Sequence, residues 1–261
     1  MTTSDYPASH AIVWDLETVP DLEAFARMQG TPDLEPTEAE AQMGEKFQKL
    51  PLHKIVCIGA LIVQRSGGPW TVRSLGAPHT GDRTEGELIE AFVQRIAELR
   101  PQLVSFNGHS YDLPVLRYRA MANNVPAPGL ARRPYFNRYT DDALDLCDAL
   151  SSFDTRSKVS LDAVSRFLGL AGKPEGVDGS QVTQLVKEGR IQDVANYCET
   201  DVVNTYRVWL RYELFRGGLT PDAFKASEED LTAFLQSKAV SHPHLADLAP
   251  PAVRVLGSRA G

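Results

Sequence analysis

The sequence predicts an α/β chain with a mixed central sheet flanked by helices, and three observations carry that expectation. Strand-length apolar runs cluster early, at residues 11–17, 54–64, 70–75 and 103–106. Apolar residues at helical spacing dominate the later part of the chain. The order of elements, strands first, then a helix long enough to cross over to a further strand, then mainly helices, suits a sheet with helices packed on it.

Ala11-Ile12-Val13-Trp14 runs apolar into Asp15-Leu16-Glu17 and stops at Pro20. Residues two apart on a strand share a face, so both carboxylates leave the sheet together. Like charges at the mouth of a core strand resist desolvation unless a cation sits between them. The other reading is a solvated strand end. Asp21 to Lys49, rich in Asp, Glu and Ala, reads as a solvated excursion, with a helical insertion beside the strand's end as the alternative. Lys54–Gln64 contains the longest apolar run, nine residues from Ile55 to Val63, which suits a central strand and falls far short of a membrane span. Trp70–Leu75 is the third strand. Glu85–Leu99 is a helix with Thr84 and Glu87 as a capping box and Leu88, Phe92, Ile96 and Leu99 on its buried face.

Leu103–Phe106, bounded by Pro101 and Asn107-Gly108, reads as a short buried strand. A turn-rich loop then leads through Tyr111 and Asp112 into a helix over Pro114–Ala122. Asp112, two residues before Pro114, is placed either to cap that helix or to bind a cation. An Asn would cap equally well but would be a poorer ligand for a hard ion. Helices follow over Ser160–Leu168 and Gly189–Phe215. In the second, Val194, Cys198, Val202, Thr205 and Trp209 trace one stripe, with Tyr197 and Asp201 sharing a face at its edge. Beyond Gly217-Gly218 a short helix, Glu228–Lys238 with Ser227 as cap, precedes a tail rich in Pro and Ala. The expected organisation is one domain over 1–216 and a helical extension with tail over 217–261, the tail packing on the core or engaging a protein partner.

Strand-borne Asp15-x-Glu17, then Asn107-x-x-x-Tyr111-Asp112, then Tyr197-x-x-x-Asp201, in that order, resemble the three motifs of the DEDD superfamily of 3'-5' exonucleases. Tyr197, with Asn196 before it, matches the tyrosine branch, and the pattern is closest to the proofreading domain of B-family DNA polymerases. His53-Lys54-Ile55-Val56-Cys57-Ile58-Gly59 resembles that family's second strand, and Ser160-Leu161-Asp162-Ala163-Val164 through to Lys173 its connecting helix. The resemblance spans about residues 11–215 with no polymerase part, as in stand-alone exonucleases related to that domain. It implies an RNase H-like fold and 3'-5' hydrolysis of phosphodiesters at the end of single-stranded DNA or RNA.

A phosphodiester is already anionic, and attack by water adds charge that two divalent cations can neutralise. Carboxylates suit two Mg²⁺ or Mn²⁺ ions. Asp15 is assigned to bridge them, Glu17 and Asp201 to complete one, Asp112 to support the other, and Tyr197 to orient the attacking water. Two alternatives stay open: a nucleic-acid-binding module that kept the fold without catalysis, and a phosphodiesterase of short oligonucleotides.

A net charge of -7 is unusual for a phosphate-binding protein. From Leu113 to Thr140, however, there is no acid, and Arg117, Arg119, Arg132, Arg133 and Arg138 alternate with Tyr118, Tyr135, Phe136 and Tyr139. That segment is either a path for a single strand, with Asn107, Tyr111, Arg117, Arg132 and Arg133 as its contacts, or a basic loop whose aromatics belong to the core. Cys57, Cys147 and Cys198 have no CxxC spacing and lie in apolar patterns. Buried thiols in a cytoplasmic protein are expected. Asp141, Asp142 and Asp145 read as structural, Asp145 as a helix cap or a brace for an Arg. Lys158 and Lys173 read as solvated.

Overall fold

A computed structural model of the chain describes residues 10–44, 46–172 and 179–248. Among them, five strands form one sheet: β1 (His10–Pro20), β2 (His53–Arg65), β3 (Trp70–Gly76), β4 (Gln102–Ser105) and β5 (Ala143–Asp145), in the order β3-β2-β1-β4-β5. The pairs β1–β2 and β2–β3 are antiparallel, whereas β1–β4 and β4–β5 are parallel, so the sheet is mixed as expected. Lys173 and the tail beyond 248 lie outside the described residues.

The alternation of β1 decides what covers each face. Ala11 and Val13 pack with Val202, Val203, Tyr206 and Trp209 of α9 (Ile191–Phe215). Ile12, Trp14 and Leu16 point the other way, onto α3 (Glu85–Leu99) and α4 (Asp112–Ala122). Both faces of the strand are buried, which explains its unbroken apolar run. The α3 helix starts as its sequence demands, with Thr84 and Glu87 closing a capping box.

Helix α9 lies very close to the sheet. A Cβ at Gly59 would stand 2.6 Å from Cys198 Sγ and 3.0 Å from Val202 Cγ2. Only a glycine in β2 lets the helix settle there, and Gly59 is the direct partner of Asp15 across the strands.

The sequence reading needs correction in two places. The stretch after β1 is not a solvated excursion: α1 (Leu22–Gln29) and α2 (Pro36–Met43) fold over a small cluster of Phe25, Ala39, Met43 and Leu52. Ser227 is not a cap either, because the last helix begins at Pro221 with Thr220 as its cap. The buried Ser227 hydroxyl instead accepts the Trp70 N–H at 2.9 Å, and Asp230 accepts that of Val72 at 2.7 Å. Side chains of this helix thereby satisfy donors on the edge strand β3, the edge that would otherwise invite further pairing. The expected division at 216/217 falls between two elements whose residues share one hydrophobic cluster, Trp209 and Leu210 with Leu219, Leu231, Leu245 and Leu248.

The buried Arg119 ties the other face together. It donates to Glu85 at 2.7 and 2.6 Å and to Asp21 at 2.6 Å, and Glu85 also accepts the Ile55 N–H at 2.7 Å. Removing one member of such a network strands the others as uncompensated buried charge. Arg119→Met should cost about 3–5 kcal/mol in urea unfolding. Gly59→Ala should cost about 1–3 kcal/mol by overpacking, and Cys198→Ala in the same chain should restore most of that loss. A double-mutant cycle measures the coupling directly.

Candidate active site

Asp15 and Glu17 lie on the α9 face of β1. Cys57 pairs with Glu17 and Ile55 with Thr18, so Val56 bulges from β2 beside Glu17. Bulges of this kind re-aim neighbouring side chains. From the helix side come Tyr197, Cys198 and Asp201. The donor atoms of Asp15, Glu17 and Cys198 lie within 4.8 Å of one another, with Cys198 Sγ 3.7 Å from the Asp15 carbonyl oxygen. Tyr197 is hydrogen-bonded to Asp201. Burial drives its phenol well above the ordinary value, and Asp201, Glu17 and Asp15 push it the same way.

Asp112 reaches the group from the opposite side of the sheet. β4 pairs with β1 only as far as Val13, so the edge of β1 beyond it is open, and Asp112 Oδ1 accepts the Leu16 N–H there at 3.2 Å. The helix α4 takes no side-chain cap from Asp112, which leaves the capping reading without support. Burial, opposed by the Leu16 N–H and assisted by Asp145, pushes the Asp112 carboxyl up to about 7.

The loop that carries Asp112 is braced from beneath. Asp145 accepts the N–H groups of Asn107 at 2.7 Å and His109 at 3.0 Å, and that of Cys147 at 3.0 Å as the cap of α6 (Leu146–Leu150). The structural reading of Asp145 is therefore the observed one. Asn107 adopts φ 69°, and a Cβ at Gly108 would overlap the Ser105 side chain, so the turn needs its glycine. Tyr111 hydrogen-bonds to Thr18 at 2.5 Å and His53 at 2.8 Å. Burial raises its phenol above the ordinary value, and the nearby Asp112, Glu17 and Asp15 add to the shift.

A cleft of about 400 Å³ opens beside this group, lined by Asp15, Phe106, Asn107, Lys158, Ser160, Asp201 and Thr205 among others. Lys158, read from the sequence as solvated, is a wall of it. Its ammonium donates to Asn107 Oδ1 at 2.8 Å and pairs with Asp148 at 3.1 Å. No periodicity marks such a residue, because it sits in irregular chain just before α7 (Leu161–Phe167). Arg117, Arg132 and Arg133 are not in the lining. Arg117 stacks on Phe136, and Arg133 is bound to Asp142. Arg132 ends the short helix α5 (Pro128–Arg132). Of the aromatics in that segment Tyr135 is buried, whereas Tyr118 and Tyr139 are exposed.

The residues fit a cation. Burial raises the Tyr111 and Tyr197 phenols, and Asp15 and Glu17 add to the rise of both, joined by Asp112 at Tyr111 and by Asp201 at Tyr197; a bound cation relieves such a concentration of negative charge. The donors are oxygens, as a hard divalent ion prefers. Cys198 is the exception. Its thiol is held well above the ordinary value by Cys57 and by burial, which keeps it a protonated donor to Asp15.

A mixed five-stranded sheet of this order, with helices on both faces, defines an RNase H-like α/β domain. Residues 45–250 match the family described as "Predicted 3'-5' exonuclease related to the exonuclease domain of PolB", and the chain belongs to that family. The match includes Asp112, Tyr197 and Asp201 and begins after Asp15 and Glu17. A DNA polymerase of Archaeoglobus fulgidus is 26% identical over 140 residues, 49% of this chain and 17% of the polymerase. The structure of the family B DNA polymerase from the hyperthermophilic archaeon Pyrobaculum calidifontis superposes with a TM-score of 0.52 at 18% identity, over 90% of this chain and 30% of that one. The chain thus spans less than a third of the length of either polymerase. Among the described residues no helix is long and apolar enough to cross a membrane.

Asp145→Asn would turn an amide donor toward backbone donors. Faster hydrogen exchange at 107–111 is expected, with a stability loss of about 1–3 kcal/mol.

Proposed function

We propose that the protein is a metal-dependent 3'-5' exonuclease that releases nucleotides from the 3' end of single-stranded DNA or RNA. The observation that carries this reading is that Asp15 from β1 and Asp201 from α9 line one cleft, with Glu17 and both of these acids close enough to Tyr197 to act on its phenol. Family membership supports the direction of digestion.

Asp15, Glu17 and Asp201 would hold two Mg²⁺ or Mn²⁺ ions, with Asp112 in support. Such ions, when bound, lower the pKa of a water and neutralise charge on the phosphoryl and leaving oxygens. Tyr197 orients the attacking water through its hydroxyl. A phenol pushed above its ordinary value keeps its proton at neutral pH and does not act as a base. The Lys158 ammonium faces the cleft and offers a point charge to the substrate phosphate. Asn107, whose side-chain oxygen holds that ammonium, positions it.

Digestion of 5'-labelled single-stranded DNA and RNA with Mg²⁺ or Mn²⁺ tests the reading. Wild type should give a ladder shortening from the 3' end. Asp15→Asn, Asp112→Asn and Asp201→Asn should each lose at least about 100-fold in rate, and Tyr197→Phe about 100-fold. Tight binding of both strands without cleavage under either metal would mark a non-catalytic binding module instead.

A further inference from the structure

We propose that Arg138, Tyr139 and Phe153 form a second seat for the substrate strand, holding nucleotides on the 5' side of the bond that is cut. This rests on the nuclease reading of the cleft and extends it to residues outside that cleft.

Tyr139 is 74% and Phe153 41% exposed, with ring centroids 5.2 Å apart. The Arg138 guanidinium stands 5.6 Å from the Phe153 ring. The three border a concavity of about 140 Å³ with Thr140, Ala149 and Tyr212 on its walls, room for one planar heterocycle. Exposed aromatic faces beside a cation are the means by which proteins hold single strands without reading sequence.

The backbone adds an independent observation. Ser152 and Phe153 both adopt left-handed conformations, with φ 52° and 62°. The turn is closed by the Phe153 N–H donating to the Asp148 carbonyl oxygen at 2.8 Å. A glycine would take that position at least cost, and a bulky residue there is a genuine outlier. The strain is not repaid by burial, because the ring is presented to solvent against Tyr139. Residues held in sparsely populated backbone regions cluster at ligand clamps and active sites.

Placement connects the two sites. Helix α6 stands between them: Cys147 lines the cleft and Ala149 lines the concavity. The buried Asp148 pairs with Lys158 on the cleft side at 3.1 Å and with Arg138 on the other at 2.6 Å. Both cations are thus held at α6, between the two sites, where a phosphate passing from one to the other would meet them. Two acids lie on the wall of the concavity: Asp141, paired with Arg216 at 2.7 Å, and the buried Asp145, whose oxygens accept the N–H groups of Asn107, His109 and Cys147.

The test uses the full chain digesting a labelled oligothymidylate long enough to pass α6 and a dinucleotide too short to do so. Tyr139→Ala and Phe153→Gly should each raise KM for the long strand about tenfold and lower the preference for it over the dinucleotide by the same factor. Phe153→Gly removes the ring where the backbone favours glycine, so its thermal stability should not fall and lost affinity cannot be ascribed to unfolding. An unchanged preference in both variants, or a wild type with no preference for the long strand, would overturn this seat and leave the exonuclease standing. A wild type that neither cuts nor binds either substrate would overturn both.

Discussion

The separation between α9 and β2 is the constraint on which the site depends. Gly59 allows the helix to rest on strand backbone, with Cys198 and Val202 in the space a side chain would take. Asp15 is opposite Gly59, and Tyr197 and Asp201 flank Cys198 along the helix. One small residue thus sets how far acids from two elements, remote in sequence, stand from each other. The apolar stripe of α9 secures the contact along the sheet, through Val202, Tyr206 and Trp209 in the same core as Val13 and Leu61.

The second half of the site is held by polar means. Asp112 is fixed by a single backbone donor on β1, and its loop is fixed by the carboxylate of Asp145. A buried acid surrounded by N–H groups stays in place without a cation. Asp112 accepts from the Leu16 N–H and its own, fewer than the four N–H groups, of Asn107, His109, Cys147 and Asp148, that Asp145 accepts.

Much of the fold was legible because its elements are long and periodic. Glu85–Leu99 and the helix ending at Phe215 match their patterns, and the first three strands differ by few residues. β5 escaped because three residues carry no period, although its pairing with β4 is what places Asp145. The start of the last helix was missed where Thr220-Pro221, a good cap and first residue, lay further upstream than the Ser227 chosen. Charge was the least legible property. Arg119 looks like any other residue of a basic segment, yet it is buried between Glu85 and Asp21, and a count of arginines cannot tell spent charges from available ones. The spacing of Tyr197 and Asp201 was readable, whereas the part of Lys158 depended on a loop whose course no local pattern encodes.

The wide sequence separation of the carboxylates has a consequence for biosynthesis. Asp15, Glu17 and Asp112 leave the ribosome well before Asp201, and α9, which closes over β1 and β2, follows all five strands. A growing chain therefore carries the strand-borne acids without the helix that gathers them. The complete constellation exists only after the sheet has formed and α9 has docked on it, so no nascent fragment lacking that helix holds the whole site.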